Sequence, residues 1–278
     1  MGSTSTKGFS RRGSGSRNNV LVIAGHDPTG GAGVVADAQT ISALGAHPVT
    51  LISAHTIQDT QGVNSYQPVP PELVVQQLET LKADMEFAAV KLGMLANKSL
   101  VEAIVPVIQS LNTPIVFDPV LASGAGDSLS DDGLVEVLCK VLLPQVKIVT
   151  PNLPELFCLT HMKAQEDDAA EKTPDQQKAA VRKLLEGGVE HVLLTGGHAK
   201  SKDVVNRLYP ADKGYAWPRL EGEYHGSGCT LASAIAALLA NGVSIEYAVE
   251  EAQEFTWQSL VGAYRISSGQ SIPLRIRR

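Results

Sequence analysis

The chain has 278 residues, 44% apolar and 19% charged, which supports a substantial core and excludes disorder along its whole length. Its 29 acidic and 23 basic residues leave a net charge of −6, so it carries no overall basic footprint for nucleic acid. No apolar run approaches a membrane span of about 18 residues. The three cysteines, Cys139, Cys158 and Cys229, have neither metal-ligand spacing nor the even count of a disulfide framework. That usage suits a reducing compartment, and a cytoplasmic location is expected.

Residues 1–19 are rich in Gly, Ser and Arg and lack an apolar stretch, so they are not a secretory signal. They read as a disordered leader or an expression tag, with a short basic tail as the alternative. From Val20 the pattern alternates β-branched runs with helical stretches. Strands are expected at 20–24, 49–53, 89–92, 115–117, 147–149 and 191–194, and helices at 33–44, 71–81, 98–111, 131–142 and 173–185. Such alternation predicts an α/β fold whose mostly parallel sheet is covered on both faces. Residues 63–69 alternate loosely and read as an added strand or flap, while 204–209 and 215–217 flank a turn and read as a hairpin. Residues 164–175 are polar and acidic, a solvated loop. Two helices, 228–240 and 245–265, precede an irregular tail at 267–278. One domain over 20–266 with a small flap accounts for this pattern.

Parallel sheets bind ligands beyond the carboxyl ends of their strands, and Asp27, Gln58, Asp118, Asn152 and Glu155 all fall there. Between the first strand and helix lies Gly25-His26-Asp27-Pro28-Thr29-Gly30-Gly31-Ala32-Gly33, a turn that lets backbone amides approach a ligand. Its match to a dinucleotide fingerprint is weak, because the first glycine lies too far from the strand and no acidic residue ends the second strand. Asp37, one turn into the helix, either reaches a ligand or occupies a solvated face. The segment His225-Gly226-Ser227-Gly228-Cys229-Thr230 opens an apolar helix whose free amides and dipole would attract an anion. Cys229 sits at the positive end of that dipole, where a thiolate is favoured; the alternative is a capped core helix with a buried cysteine. In Thr150-Pro151-Asn152-Leu153-Pro154-Glu155, Asn152 and Glu155 either organise hydrated Mg²⁺ or form a helix cap. Asp118 ends a strand at the site edge, and Thr195-Gly196-Gly197-His198 is either a nucleotide-facing turn or an ordinary one. No Gly-x-x-x-x-Gly-Lys-Ser/Thr sequence occurs, which excludes a P-loop kinase.

Together these segments, with Ser42-Ala43-Leu44-Gly45-Ala46, Gln58-Asp59-Thr60-Gln61-Gly62-Val63 and Lys91-Leu92-Gly93-Met94-Leu95, resemble the ribokinase-like superfamily. The nearer resemblance is to hydroxymethylpyrimidine and phosphomethylpyrimidine kinases of thiamine biosynthesis, and Cys229, where sugar kinases carry Asp, favours that branch. The resemblance implies a three-layer α/β/α fold and MgATP-dependent phosphorylation of an aminopyrimidine alcohol, its monophosphate, or both. It implies that Ala32, Asp37, Gln58, Met94 and Val120 line the pyrimidine pocket. It further implies that Gly226, Ser227, Gly228 and Cys229 form the catalytic anion hole, with Cys229 accepting the proton. Asn152, Thr195 and Gly197 would face ATP, Glu155 and Asp118 would hold Mg²⁺, and the chain would form a homodimer. The run Leu121-Ala122-Ser123-Gly124-Ala125-Gly126-Asp127 lacks the family's cation, His55 and Thr56 replace apolar residues, and a basic tail replaces a Gly-His-rich stretch. The competing readings are a pyridoxine or pyridoxal kinase of the same superfamily and a non-catalytic pyrimidine-binding sensor.

Overall fold

The computed structural model describes residues 17–121, 133–162, 173–197 and 201–276. Most of the expected leader, the run 122–127, most of the polar loop 164–175, and His198 lie outside the described residues. The chain opens with β1 (Asn19–His26), α1 (Gly33–Ala43), β2 (His47–Gln58) and β3 (Val63–Pro68). It continues through α2 (Pro71–Asp84), β4 (Ala89–Leu92), α3 (Lys98–Gln109) and β5 (Ile115–Phe117). Next come α4 (Leu134–Val137), β6 (Ile148–Val149), α5 (Leu153–Leu159) and α6 (Pro174–Glu186). Last are β7 (His191–Leu194), β8 (Asp203–Tyr209), β9 (Lys213–Pro218), α7 (Ser227–Ala240) and α8 (Ile245–Val261).

All nine strands join one sheet in the order β3-β2-β1-β4-β5-β6-β7-β8-β9. The six from β2 to β7 run parallel, and β3, β8 and β9 are antiparallel additions at the two edges. Side chains of β1 divide between two layers because successive residues point to opposite faces. Val20, Val22 and Ala24 pack with α1, α7 and α8, whereas Leu21 and Ile23 pack with α2, α3 and the middle helices. A strand covered on both sides has no polar face, so these segments read as continuous apolar runs.

Several boundaries differ from the sequence expectation for tertiary reasons. β2 extends to Gln58 because β3 pairs with its second half, from Ala54 to Gln58. The helix expected over 131–142 is α-helical only at Leu134–Val137, then widens into a π-helical turn at Leu138–Leu142. α8 stops at Val261, short of 265, because Tyr264 leaves the helix to pair with Ile272. The tail expected to be irregular is therefore docked. The Gln270 amide donates to the Thr60 carbonyl at 2.9 Å, and the Leu274 amide to the Ser259 carbonyl at 2.9 Å.

Candidate active site

Two glycine turns meet above the carboxyl ends of β1, β4 and β5. In the first, Asp27 is buried, and it accepts hydrogen bonds from the Thr29 amide and the Ala32 amide, both at 2.8 Å. Its Oδ2 also lies 2.9 Å from His225 Nε2, which ties this turn to the second one. Burial alone would raise the Asp27 carboxyl, but the contacts with His225 and Thr29 outweigh it and hold the group below its ordinary range. Asp27 thus occupies amides that a dinucleotide pyrophosphate would need, and Ala32 presents no free N–H.

The second turn leads into α7. Gly226 adopts φ 75°, and a Cβ there would lie 2.1 Å from the Gly31 carbonyl oxygen, so only glycine lets the turns touch. No side chain caps α7, which leaves its first amides and the positive end of its dipole free for an anion. Ala232, Ala234, Ala236 and Ala237 are fully buried, and their small size lets α7 lie close against the sheet between α1 and α8.

Beneath α7 lies a charged group that the sequence reading did not single out. Lys91 on β4 is in register with Val22 and Val116, so its side chain faces the α7 layer. It is fully buried, 2.8 Å from Asp37, whose other oxygen accepts from Ser233 Oγ at 2.7 Å. Burial would lower the Lys91 ammonium, but the charges of Asp37 and then Asp118, with the Asp37 hydrogen bond, outweigh it and keep the group cationic. The available signal was a lysine inside the buried strand Ala89–Leu92. Asp37 corrects one expectation: it lies on no solvated face, having no exposed surface and being held by Lys91 and Ser233.

Cys229 corrects another. Burial pushes its thiol up to about 12, beyond what Lys91 and the Gly33 amide offset, so the helix dipole does not produce a standing thiolate. Asp118, raised to about 6, is governed by burial, with Lys91 and the Cys229 thiol pulling it down and Asp37 pushing it up. Its Oδ2 is buried with no hydrogen-bond partner. Gly228 completes the group, since a Cβ there would lie 3.6 Å from Asp118 Oδ1.

Asn152 and Glu155 form a full capping box at the start of α5: Asn152 Oδ1 accepts from the Glu155 amide at 2.9 Å, and Glu155 Oε2 accepts from the Asn152 amide at 2.8 Å. The cap reading therefore holds for the pair. Burial and then the charge of Asp118 raise Glu155 to about 8. Two carboxyls destabilised as anions, one with an orphaned buried oxygen, suit a divalent cation. Among the described residues no cluster of three or more His, Cys, Asp or Glu could hold a metal. The donor set therefore fits a largely hydrated Mg²⁺ shared with phosphates and not a closed protein cage.

Met94 and Val120 pack in one apolar cluster with Ala54 and Ala96, joined by Val63 and Tyr66 of the flap strand. Gln58 pairs with Val63 at the edge of this cluster. The polar replacements nearby are satisfied: Thr56 Oγ1 donates to the His26 carbonyl at 2.8 Å, and His55 packs edge-on against His26. Thr195 bridges to Asn152, and its amide donates to the Pro151 carbonyl at 2.9 Å. A Cβ on Gly197 would meet only open space, so that turn leaves room beside Thr195.

Residues 27–274 match the family model described as phosphomethylpyrimidine kinase. The chain belongs to this family. A hydroxymethylpyrimidine/phosphomethylpyrimidine kinase of Salmonella typhimurium is 36% identical over 260 residues, covering 92% of this chain and 96% of the relative. The crystal structure of phosphomethylpyrimidine kinase from Clostridium difficile superposes with TM-score 0.75 at 32% identity, covering 88% of this chain and all of that one. Pyridoxal kinase from Staphylococcus aureus in complex with AMP-PCP superposes with TM-score 0.83 at 27% identity, over 94% of each chain. Family membership makes the chain a phosphotransferase of ribokinase-like fold, and the ATP-analogue complex supports ATP as the donor class. No helix among the described residues is long and apolar enough to cross a membrane.

Proposed function

We propose that this protein transfers the γ-phosphoryl group of ATP to the hydroxymethyl oxygen of 4-amino-5-hydroxymethyl-2-methylpyrimidine, to its monophosphate, or to both. The observation that carries this reading is the uncapped α7 terminus at Gly226–Cys229 beside the carboxyl of Asp118, whose backbone carbonyl accepts from the Val120 amide of the apolar Met94 cluster. The pyrimidine ring would lie on Met94 and Val120 beside Ala32, with Gln58 at its polar edge, held under the flap strand. ATP would lie toward Asn152, Thr195 and Gly197, and its γ-phosphate would face the amides of Ser227, Gly228 and Cys229.

A new bond then forms between the alcohol oxygen and the γ-phosphorus as the bond to the β-phosphate bridging oxygen breaks. Little covalent help is needed, and alignment with charge stabilisation supplies most of the acceleration. The hydroxyl proton leaves toward the Cys229 sulfur while the thiol proton passes to the Asp118 carboxylate, which avoids a free thiolate. Mg²⁺, held by Asp118 and Glu155 mainly through water, would neutralise charge on the β- and γ-phosphates. Asp37 contributes by keeping Lys91 in place.

Cys229→Ala is expected to lower turnover by about 100-fold while leaving the thermal midpoint and ATP affinity near wild type. Steady-state kinetics with calorimetry would check this, and near wild-type turnover would reduce the site to its backbone amides. The reading itself is tested by ATP-dependent turnover on the pyrimidine alcohol, its monophosphate and pyridoxal, measured side by side. Pyridoxal is the second reading, favoured by the higher TM-score of the pyridoxal kinase neighbour. Faster turnover of pyridoxal than of either pyrimidine would overturn the assignment.

A further inference from the structure

Arg275 lies in the C-terminal segment, far in sequence from either glycine turn, yet it is 2% exposed. All five of its N–H donors are directed at oxygens. Nε donates to Thr230 Oγ1 at 2.8 Å, and Nη1 to Gln39 Oε1 at 3.4 Å and the Gly30 carbonyl at 3.5 Å. Nη2 donates to the Gly31 carbonyl at 2.5 Å and the Gly226 carbonyl at 3.4 Å. None of these acceptors is a carboxylate, and among the described residues no ion pair engages Arg275. A buried guanidinium usually has an anionic partner. Here the carboxylates of Asp37 and Asp27 act on it only at longer range, and its direct contacts are carbonyl, amide and hydroxyl oxygens of the two turns and their helices.

We propose that Arg275 is a positioning residue for phosphoryl transfer, its guanidinium clamping the two glycine turns from behind so that the α7 amides face the phosphate. A trans peptide places its C=O and N–H on opposite sides. Arg275, together with the Thr230 amide and hydroxyl that bond the same oxygen at 3.0 and 2.8 Å, holds the Gly226 carbonyl inward and so turns the Ser227 amide outward, to the ligand side. The contacts to Gly30 and Gly31 fix the first turn against the second at the point where Gly226 and Gly31 touch. Planar donors in a fixed fork make this a task for arginine that lysine cannot fully perform. The inference rests on the kinase reading above and adds to it a residue from a segment that no sequence motif marks.

The test uses the full chain with Arg275→Gln and Arg275→Lys. For Arg275→Gln we expect kcat to fall about 10–100-fold with KM for the alcohol within about 3-fold, and partial recovery on adding millimolar guanidinium ion. Arg275→Lys should keep a near wild-type thermal midpoint with intermediate kcat. Arg275→Gln turnover within about 2-fold of wild type would overturn the proposal. So would an Arg275→Gln chain that fails to fold alongside fully active Arg275→Lys, since Arg275 would then serve the fold alone. If wild type phosphorylates none of the three alcohols, the kinase reading fails separately. Thermal protection by AMP-PCP then decides for Arg275: protection at least halved in Arg275→Lys supports the clamp, and unchanged protection removes it.

Discussion

Lys91→Met is expected to destabilise the protein by about 3–5 kcal/mol, because it leaves the buried Asp37 side chain, among the described residues, with Ser233 as its one remaining hydrogen-bond partner. The effect is not one of lost volume, since methionine fills most of the space the lysine stem occupies. It follows from the asymmetry of buried pairs, in which removing one member costs more than removing both. The double variant Lys91→Met with Asp37→Asn should therefore recover a substantial part of the loss. Urea denaturation of the two single variants and the double variant would measure this coupling. Additive losses would mean that Lys91 and Asp37 do not act as a pair. Neighbouring Asp118 and Cys229 should respond as well, because the Lys91 charge lowers both groups. Any turnover left in Lys91→Met should consequently shift to higher pH, and the added Asp37→Asn change should reverse part of that shift.

Gly226→Ala is expected to cut turnover by about 100-fold or more while leaving the core folded. The added Cβ would lie 2.1 Å from the Gly31 oxygen and 2.9 Å from Arg275 Nη2. Neither can yield freely: the first is backbone, and the second is held by its own hydrogen bonds. The backbone at φ 75° adds strain of about 1–2 kcal/mol for any residue with a Cβ. The turns must therefore part by a fraction of the clash, and the α7 amides move with them. Transfer depends on alignment within about an ångström, so the loss should fall on kcat more than on the thermal midpoint. Kinetics paired with calorimetry would separate the two; equal loss in both would place Gly226 in the fold alone.

Much of the architecture was legible because its signals are local. β-branched runs, helical periodicity and glycine punctuation each lie within a few residues, and they marked the parallel strands, the hairpin of β8 and β9 and the start of α7. Asp118 and the Asn152–Glu155 pair were recognisable as site candidates by their positions after strands, and the glycine turn at 225–228 by the apolar helix it opens. Their electrical state was not. A cysteine at a helix terminus reads as a thiolate, yet enclosure raises the Cys229 thiol to about 12. A polar residue one turn into a helix can read as solvated, yet Asp37 has no exposed surface.

Fold class, family and the segment that opens α7 were readable because each is written in contiguous residues. The support of that segment was not, because it rests on contacts between residues far apart in the chain. Lys91 meets Asp37 across 54 positions, His225 meets Asp27 across 198, and Arg275 meets Gly31 across 244. Partners so distant leave no periodicity or spacing in the chain. They become neighbours only when the sheet brings the strand ends together and the C-terminal segment docks behind the turn.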